Sequence, residues 1–432
     1  MVSSRLTTSA LLLLSHSASS LAASPFDPAP PQGCNVTRAA YLIRHAAIYA
    51  NDFDYEEYIE PFVKKLVASQ KNSSINWEKS HTLSFLANYK SPVEEEDEEK
   101  LTRVGQVEAM QLGIDVSDRY QQFSQPNKIW TSTAERTVKS AQSFIQGLVT
   151  KTNETDLVQV SESEEEGADS LTPYEGCPAY SSSRGSSQSQ TFQEIYTKPI
   201  LSRFRAQVPN FNWTVDDITG MQELCGYETV IRGSSPFCSL SLFTPDEWLG
   251  FEYANDLMYF HNTGYGNPIS GVLGFPGTQL LLADNADQDL YVSFTHRELP
   301  PTVLVALGLF NNSAFSGADD VNATMPLTTI NPRRAWQSSR ILPFLTNIAL
   351  ERLECDSYGF QDNANKTGEY YRVLVNQSPQ FLEACTDGPG YSCSRANFQN
   401  IIQQRADMFG GFSEKCGVEY KNSTDVLSVY GN

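Results

Sequence analysis

The sequence predicts an α/β fold, and three stretches carry that expectation. Tyr41-Leu42-Ile43-Arg44-His45 is a short apolar run that stops in a guanidinium and an imidazole. Asn127 to Ser132 is a strand-like run leading into a segment with Arg136, and Asp289 to Thr295 is another that ends at His296. Strand patterns alternating with helical spacing are the signature of a sheet whose strands are joined by helices. In open α/β sheets chemistry collects just beyond the carboxyl ends of the strands, which makes Arg44, His45, Arg136 and His296 the first candidate site residues.

Taken in order, Met1 to Arg5 supplies a basic start, Leu6 to Leu14 a largely apolar centre and Ser20-Leu21-Ala22 a small-x-small cleavage signature. Residues 1–23 therefore read as a secretory signal peptide, too short to span a bilayer. Pro25 to Gln32 is a Pro-rich lead-in to the first strand. Tyr58, Phe62 and Leu66 predict an amphipathic helix between Asp52 and Gln70, and the glutamate-rich run from Ser91 to Lys100 reads as a solvated loop. Thr102 fits the N-cap of a following helix. Val138, Ala141, Ile145 and Leu148 form one helical stripe, with Arg136 in or near its first turn.

From Thr152 to Gln190 the composition turns acidic and Ser/Gly-rich, as in a long exposed connection. Beyond it lie Phe204, Phe211, Trp213, Trp248, Phe251, Tyr253, Leu257 and Tyr259, core candidates for a mostly helical subdomain. The expected division is an α/β domain from residues 34–150 and 284–432, with 151–283 inserted. Gly264 to Pro268 and Gly271 to Gly277 read as turns, since neither ends in the Gly-Lys-Ser/Thr of a phosphate loop. Pro300-Pro301 marks the first turn of a helix after His296, a place where free N–H groups favour an anion. Glu351 to Cys355 and Tyr370 to Val375 read as two late strands.

The chain has 432 residues and a formal net charge of -20, with no Lys/Arg-rich block, which argues against nucleic acid as a partner. A polyanionic substrate would meet the same repulsion unless the pocket itself were positive. After the signal no stretch is apolar enough to span a membrane, so a soluble, secreted protein is expected. Eight cysteines without metal-type spacing fit an oxidising compartment and disulfides, with about 105 pairings open on sequence alone. Sequons at Asn35, Asn72, Asn153, Asn212, Asn311, Asn322, Asn365, Asn376 and Asn422 suggest a glycosylated surface.

At its three Arg/His stations the sequence resembles the histidine acid phosphatases, in particular the secreted fungal phytase-type branch. Gly33-Cys34-Asn35-Val36-Thr37, Leu101-Thr102 with Gly105, Ser235-Pro236-Phe237-Cys238 and Gly266-Asn267-Pro268 extend the likeness from about Cys34 to Cys416. The resemblance implies a phosphoglycerate-mutase-like α/β domain with an inserted helical subdomain. It also implies disulfides Cys34–Cys355, Cys177–Cys416, Cys225–Cys238 and Cys385–Cys393. His45 would be the nucleophile that forms a phosphohistidine, while Arg44, Arg136 and His296 hold the phosphoryl oxygens. The substrate would be a small-molecule phosphate ester, and no metal or cofactor is needed.

Two motifs depart from the family pattern, the first at Ala46, Ile48 and Ala50 and the second at Arg297. The first motif is Arg-His-Gly-x-Arg-x-Pro in the family, whereas Ile48 stands here in place of the second arginine. The family's His-Asp becomes His296-Arg297-Glu298, similar to the His-Ala-Glu of the multiple inositol polyphosphate phosphatases. Glu298 is therefore the expected general acid, and Arg297 a candidate phosphate ligand in place of the arginine missing at 48. The departures also leave open a repurposed family member that binds a ligand without turnover.

Overall fold

The computed structural model describes residues 29–149, 154–283, 288–312, 324–356, 368–383, 385–419 and 424–431. The expected signal peptide and the sequons at Asn153, Asn322, Asn365 and Asn422 lie outside them. The strands are β1 (Cys34–Arg44), β2 (Lys128–Ser132), β3 (Asp156–Val160), β4 (Leu290–Thr295), β5 (Asn347–Cys355), β6 (Gly368–Val375), β7 (Ser378–Gln380) and β8 (Cys393–Ser394). They form one sheet in the order β3-β2-β4-β1-β5-β6-β7, with β8 on β6. β3, β2, β4 and β1 run parallel, and β5 to β7 continue antiparallel.

The order follows from the residues. In β1, Ala39, Tyr41 and Ile43 face a core shared with α2 (Arg103–Arg119) and α3 (Glu135–Leu148), whereas Ala40 and Leu42 face another core. Both faces are covered, which is why the strand reads as an unbroken apolar run. The opposite layer holds α8 (Ser270–Leu282), α9 (Leu299–Leu307) and α10 (Arg395–Phe409). A separate apolar cluster joins α1 (Glu60–Gln70) to α5 (Lys198–Gln207) and α6 (Val215–Arg232), through Phe62, Leu66, Phe204 and Ile218. α4 (Ser186–Tyr196) packs on α7 (Pro245–Asn262) between them. Thr102 caps α2, accepting from the Gly105 amide at 3.0 Å, and all four implied disulfides are present.

Three sequence expectations are corrected. The described part of the expected exposed connection, residues 154–190, is tied to the fold: β3 pairs with β2, so the sheet runs into the stretch expected to open the insertion, and Leu171, Thr172 and Cys177 are buried. The backbone docks where Thr295 Oγ1 donates to the Leu171 carbonyl at 2.5 Å, and Glu162, Glu164 and Glu175 of this acidic stretch line a cleft. Gly271 to Gly277 is helical, part of α8. Glycine is needed there because a Cβ on Gly274 would come within 1.9 Å of the Thr302 carbonyl oxygen in α9. The glutamate-rich run 91–100 is only partly solvated, since its last glutamate turns toward the cleft described next.

Candidate active site

Strand register brings the three stations together. Arg44 pairs with Thr295 across β1 and β4, and Thr131 of β2 pairs with Phe294, so all three parallel strands end at one level. His45 and His296 follow those ends directly, and their ring centroids lie 5.8 Å apart at an edge-on angle of 66°. The His45 amide donates to the Thr295 carbonyl at 2.9 Å, which locks the two loops to each other.

The His45 ring is buried, and its Nδ1 lies 2.9 Å from the Ala46 carbonyl oxygen. A carbonyl can only accept, so Nδ1 carries the proton and Nε2 presents a lone pair. Burial, and then the charges of Arg44, His296 and Arg136, hold this imidazole well below its usual range. A lowered value leaves the ring neutral in acid, where an ordinary histidine would be protonated.

Arg44 donates to the Leu342 carbonyl, and its guanidinium lies 4.5 Å from the Phe344 ring centroid. Burial and the neighbouring Arg297 push it down to about 10. Arg136 stands in the first turn of α3 and pairs with Glu99. Glu99, expected in a solvated loop, adopts φ 61°, a left-handed conformation that costs a non-glycine residue about 1–3 kcal/mol and that clusters at functional sites. Gly105 lets α2 approach the loop after β1, because a Cβ there would lie 2.3 Å from the Ala47 carbonyl oxygen.

Arg297 bonds Glu298 at 2.8 Å through Nε, and its guanidinium lies 5.7 Å from the centroid of Tyr259, a residue first read as packing. Burial alone would raise the Glu298 carboxyl. The charges of Arg297 and His296 outweigh it and hold the carboxyl below its usual value. Ile48 is buried in an apolar cluster with Ala46, Leu101 and Ala109 and bridges to Leu101. The position of the family's second arginine is thus a packed apolar contact.

Arg44, His45, Arg136, His296, Arg297 and Glu298 all line one cleft of about 610 Å³. Glu162 lines it too and was missed: its carboxylate lies 3.3 Å from His296 Nε2 and accepts from the Ala134 amide at 2.8 Å. Recognising Asp156 to Val160 as a strand would have flagged Glu162, which stands two residues beyond that strand's carboxyl end.

The model of the histidine phosphatase superfamily (branch 2) matches residues 35–376. The chain belongs to that family. Among relatives of this histidine phosphatase, acid phosphatase PHO1 of Komagataella pastoris is 29% identical over 92% of this chain and 83% of its own. Phytase A of Penicillium oxalicum is 26% identical over 90% of this chain and 88% of its own. The crystal structure of the phytase from D. castellii shares the fold with a TM-score of 0.82 at 23% identity, covering 95% of this chain and 87% of that one. The mixed α/β architecture of this histidine phosphatase and its reading as a phosphoester hydrolase therefore stand, and these relatives give no support to a repurposed binder.

Proposed function

We propose that this histidine phosphatase hydrolyses phosphate monoesters in two displacements through a phosphohistidine at His45. The observation that carries the reading is the His45 ring, which is pinned by the Ala46 carbonyl so that Nε2 is the free nucleophile and is flanked by Arg44, Arg136 and His296. In the first step Nε2 bonds to phosphorus as the ester oxygen leaves, taking a proton from Glu298. In the second, water attacks phosphorus, returns a proton to Glu298 and frees His45. Splitting one hard hydrolysis into two easier steps suits a neutral imidazole. Cations fixed around the phosphoryl oxygens supply positioning and charge stabilisation. Arg297 is the third guanidinium of that set.

The charge balance of the cleft supports a small monoester over phytate. Among the described residues Arg44, Arg136 and Arg297 are its only arginines and no lysine lines it, whereas Asp52, Glu99, Glu162, Glu164 and Glu175 line it together with Glu298. One phosphoryl group can be neutralised there; a ring of further phosphates would face carboxylates. Secretion fits the same reading, supported by residues 1–23, by four disulfides and, among the described residues, by the lack of a helix long and apolar enough to cross a membrane.

Both parts are tested by assaying wild type and Glu298→Gln across pH on an alkyl phosphate, an aryl phosphate and phytate. Loss of the general acid is expected to slow the alkyl ester by about 10²–10⁴-fold and the aryl ester much less, because a good leaving group needs little protonation. In wild type, kcat/KM on the alkyl ester should fall as pH rises through the Glu298 value, since only the protonated acid donates, and that limb should vanish in the variant. Phytate is expected to have a kcat/KM at least about tenfold below the alkyl ester. A Glu298→Gln enzyme equal to wild type on the alkyl ester removes Glu298 from the mechanism, and phytate as the best substrate overturns the specificity.

A further inference from the structure

We infer that Glu162 is a positioning residue for His296, fixing its ring and supplying the counter-charge for the imidazolium form that would hold a phosphoryl oxygen. The inference rests on the two-displacement reading above and adds a residue to it.

The neighbours of His296 fix where its proton sits. Ser132 Oγ donates to Thr137 Oγ1 at 3.0 Å, so it presents a lone pair to His296 Nε2, 3.2 Å away. Glu162 Oε2 lies 3.3 Å from the same nitrogen and can only accept. Two acceptors on Nε2 place a proton there. The neutral ring then has a bare lone pair at Nδ1, an atom that is buried without a partner on a ring that lines the cleft. A phosphoryl oxygen would be repelled by that lone pair and attracted by an N–H. The ring can offer N–H groups from both nitrogens only as a cation, and a carboxylate behind it stabilises that cation.

Glu162 is held in place for the task. Its Oε1 accepts from the Ala134 amide at 2.8 Å and from the Thr133 hydroxyl at 3.1 Å. Ala134 is the N-cap of the 14-residue α3, where the helix dipole favours negative charge. Burial would raise the carboxyl, but the His296 bond and charge and the Ala134 amide hold it down to about 2, so the counter-charge persists in acid.

The test compares wild type, Glu162→Gln and Glu162→Asp at about pH 5, using an aryl phosphate for turnover and inorganic tungstate as a competing tetrahedral anion. Glutamine keeps the size and can still accept from the Ala134 amide, so thermal melting is expected to stay near wild type. Its kcat/KM should fall by about ten- to a hundredfold, the value of one charge-assisted hydrogen bond, and its tungstate inhibition constant should rise by a similar factor. Aspartate, which keeps the charge, should recover most of both losses. Wild-type kinetics in Glu162→Gln overturn the inference, as does a larger loss in Glu162→Asp. Tighter tungstate binding by Glu162→Gln overturns it too, because Glu162 would then be a resident anion competing with phosphate. An inactive wild type would instead sink the hydrolase reading itself.

Discussion

Alanine at His45 is expected to lower turnover of every phosphate monoester by at least about 10³-fold while the protein stays folded. The prediction is large because no other imidazole can take over: His296 carries a proton on Nε2, toward Glu162 and Ser132, and in the imidazolium form inferred above it has no lone pair left to attack phosphorus. Folding should survive because the loop is held by backbone bonds, His45 to Thr295 and Ala47 to Thr102, that the substitution leaves in place. Removing an imidazole from beside Arg44 and Arg136 also takes away no counter-charge. Tungstate should still bind the variant, since Arg44 and Arg136 remain. Activity within tenfold of wild type on purified, folded protein would show that water attacks phosphorus directly.

The second large effect is on stability and lies away from the cleft. Glu351 in β5 is fully buried and accepts from Arg119 Nε at 2.9 Å, the Tyr120 hydroxyl at 2.7 Å and Arg372 Nε at 2.8 Å. Tyr120 in turn meets the Tyr41 hydroxyl at 2.8 Å, linking β1, α2, β5 and β6. Glu351→Ala leaves Arg372 charged, nearly inaccessible and without its carboxylate, and breaking a buried pair from one side costs about 3–5 kcal/mol. Urea denaturation with the disulfides intact measures it, and kcat of the folded fraction should be unchanged. A loss under about 1 kcal/mol would mean that water reaches the arginines and replaces the carboxylate.

What could be read in the chain follows from where periodicity carries information. His45 and His296 were legible because each directly follows an apolar strand, and strand ends in a parallel sheet are where side chains meet. Arg136 was legible from the stripe of α3, whose four apolar residues fix the face that packs and so the position of the first turn. Glu162 was not, since Asp156-Leu157-Val158-Gln159-Val160 is a short edge strand followed by six acidic or serine residues, Ser161 to Glu166, that mask its end. Glu99 was lost for the same reason, hidden in a run of like residues of which it alone reaches Arg136. The α8 helix was missed because Gly271, Gly274 and Gly277 serve close helix packing, a tertiary demand that local composition reports as a turn. Ile48 could be recognised as a departure but not placed, because its burial against Leu101 joins segments distant in the chain.

In the proposed reaction phosphorus is attacked twice, first by His45 and then by water. Its most direct test is the stereochemical course of transfer from an isotopically chiral phosphate monoester to an acceptor alcohol. Two in-line displacements predict overall retention of configuration at phosphorus. Inversion would contradict the account, because it requires the acceptor to attack the ester in a single step.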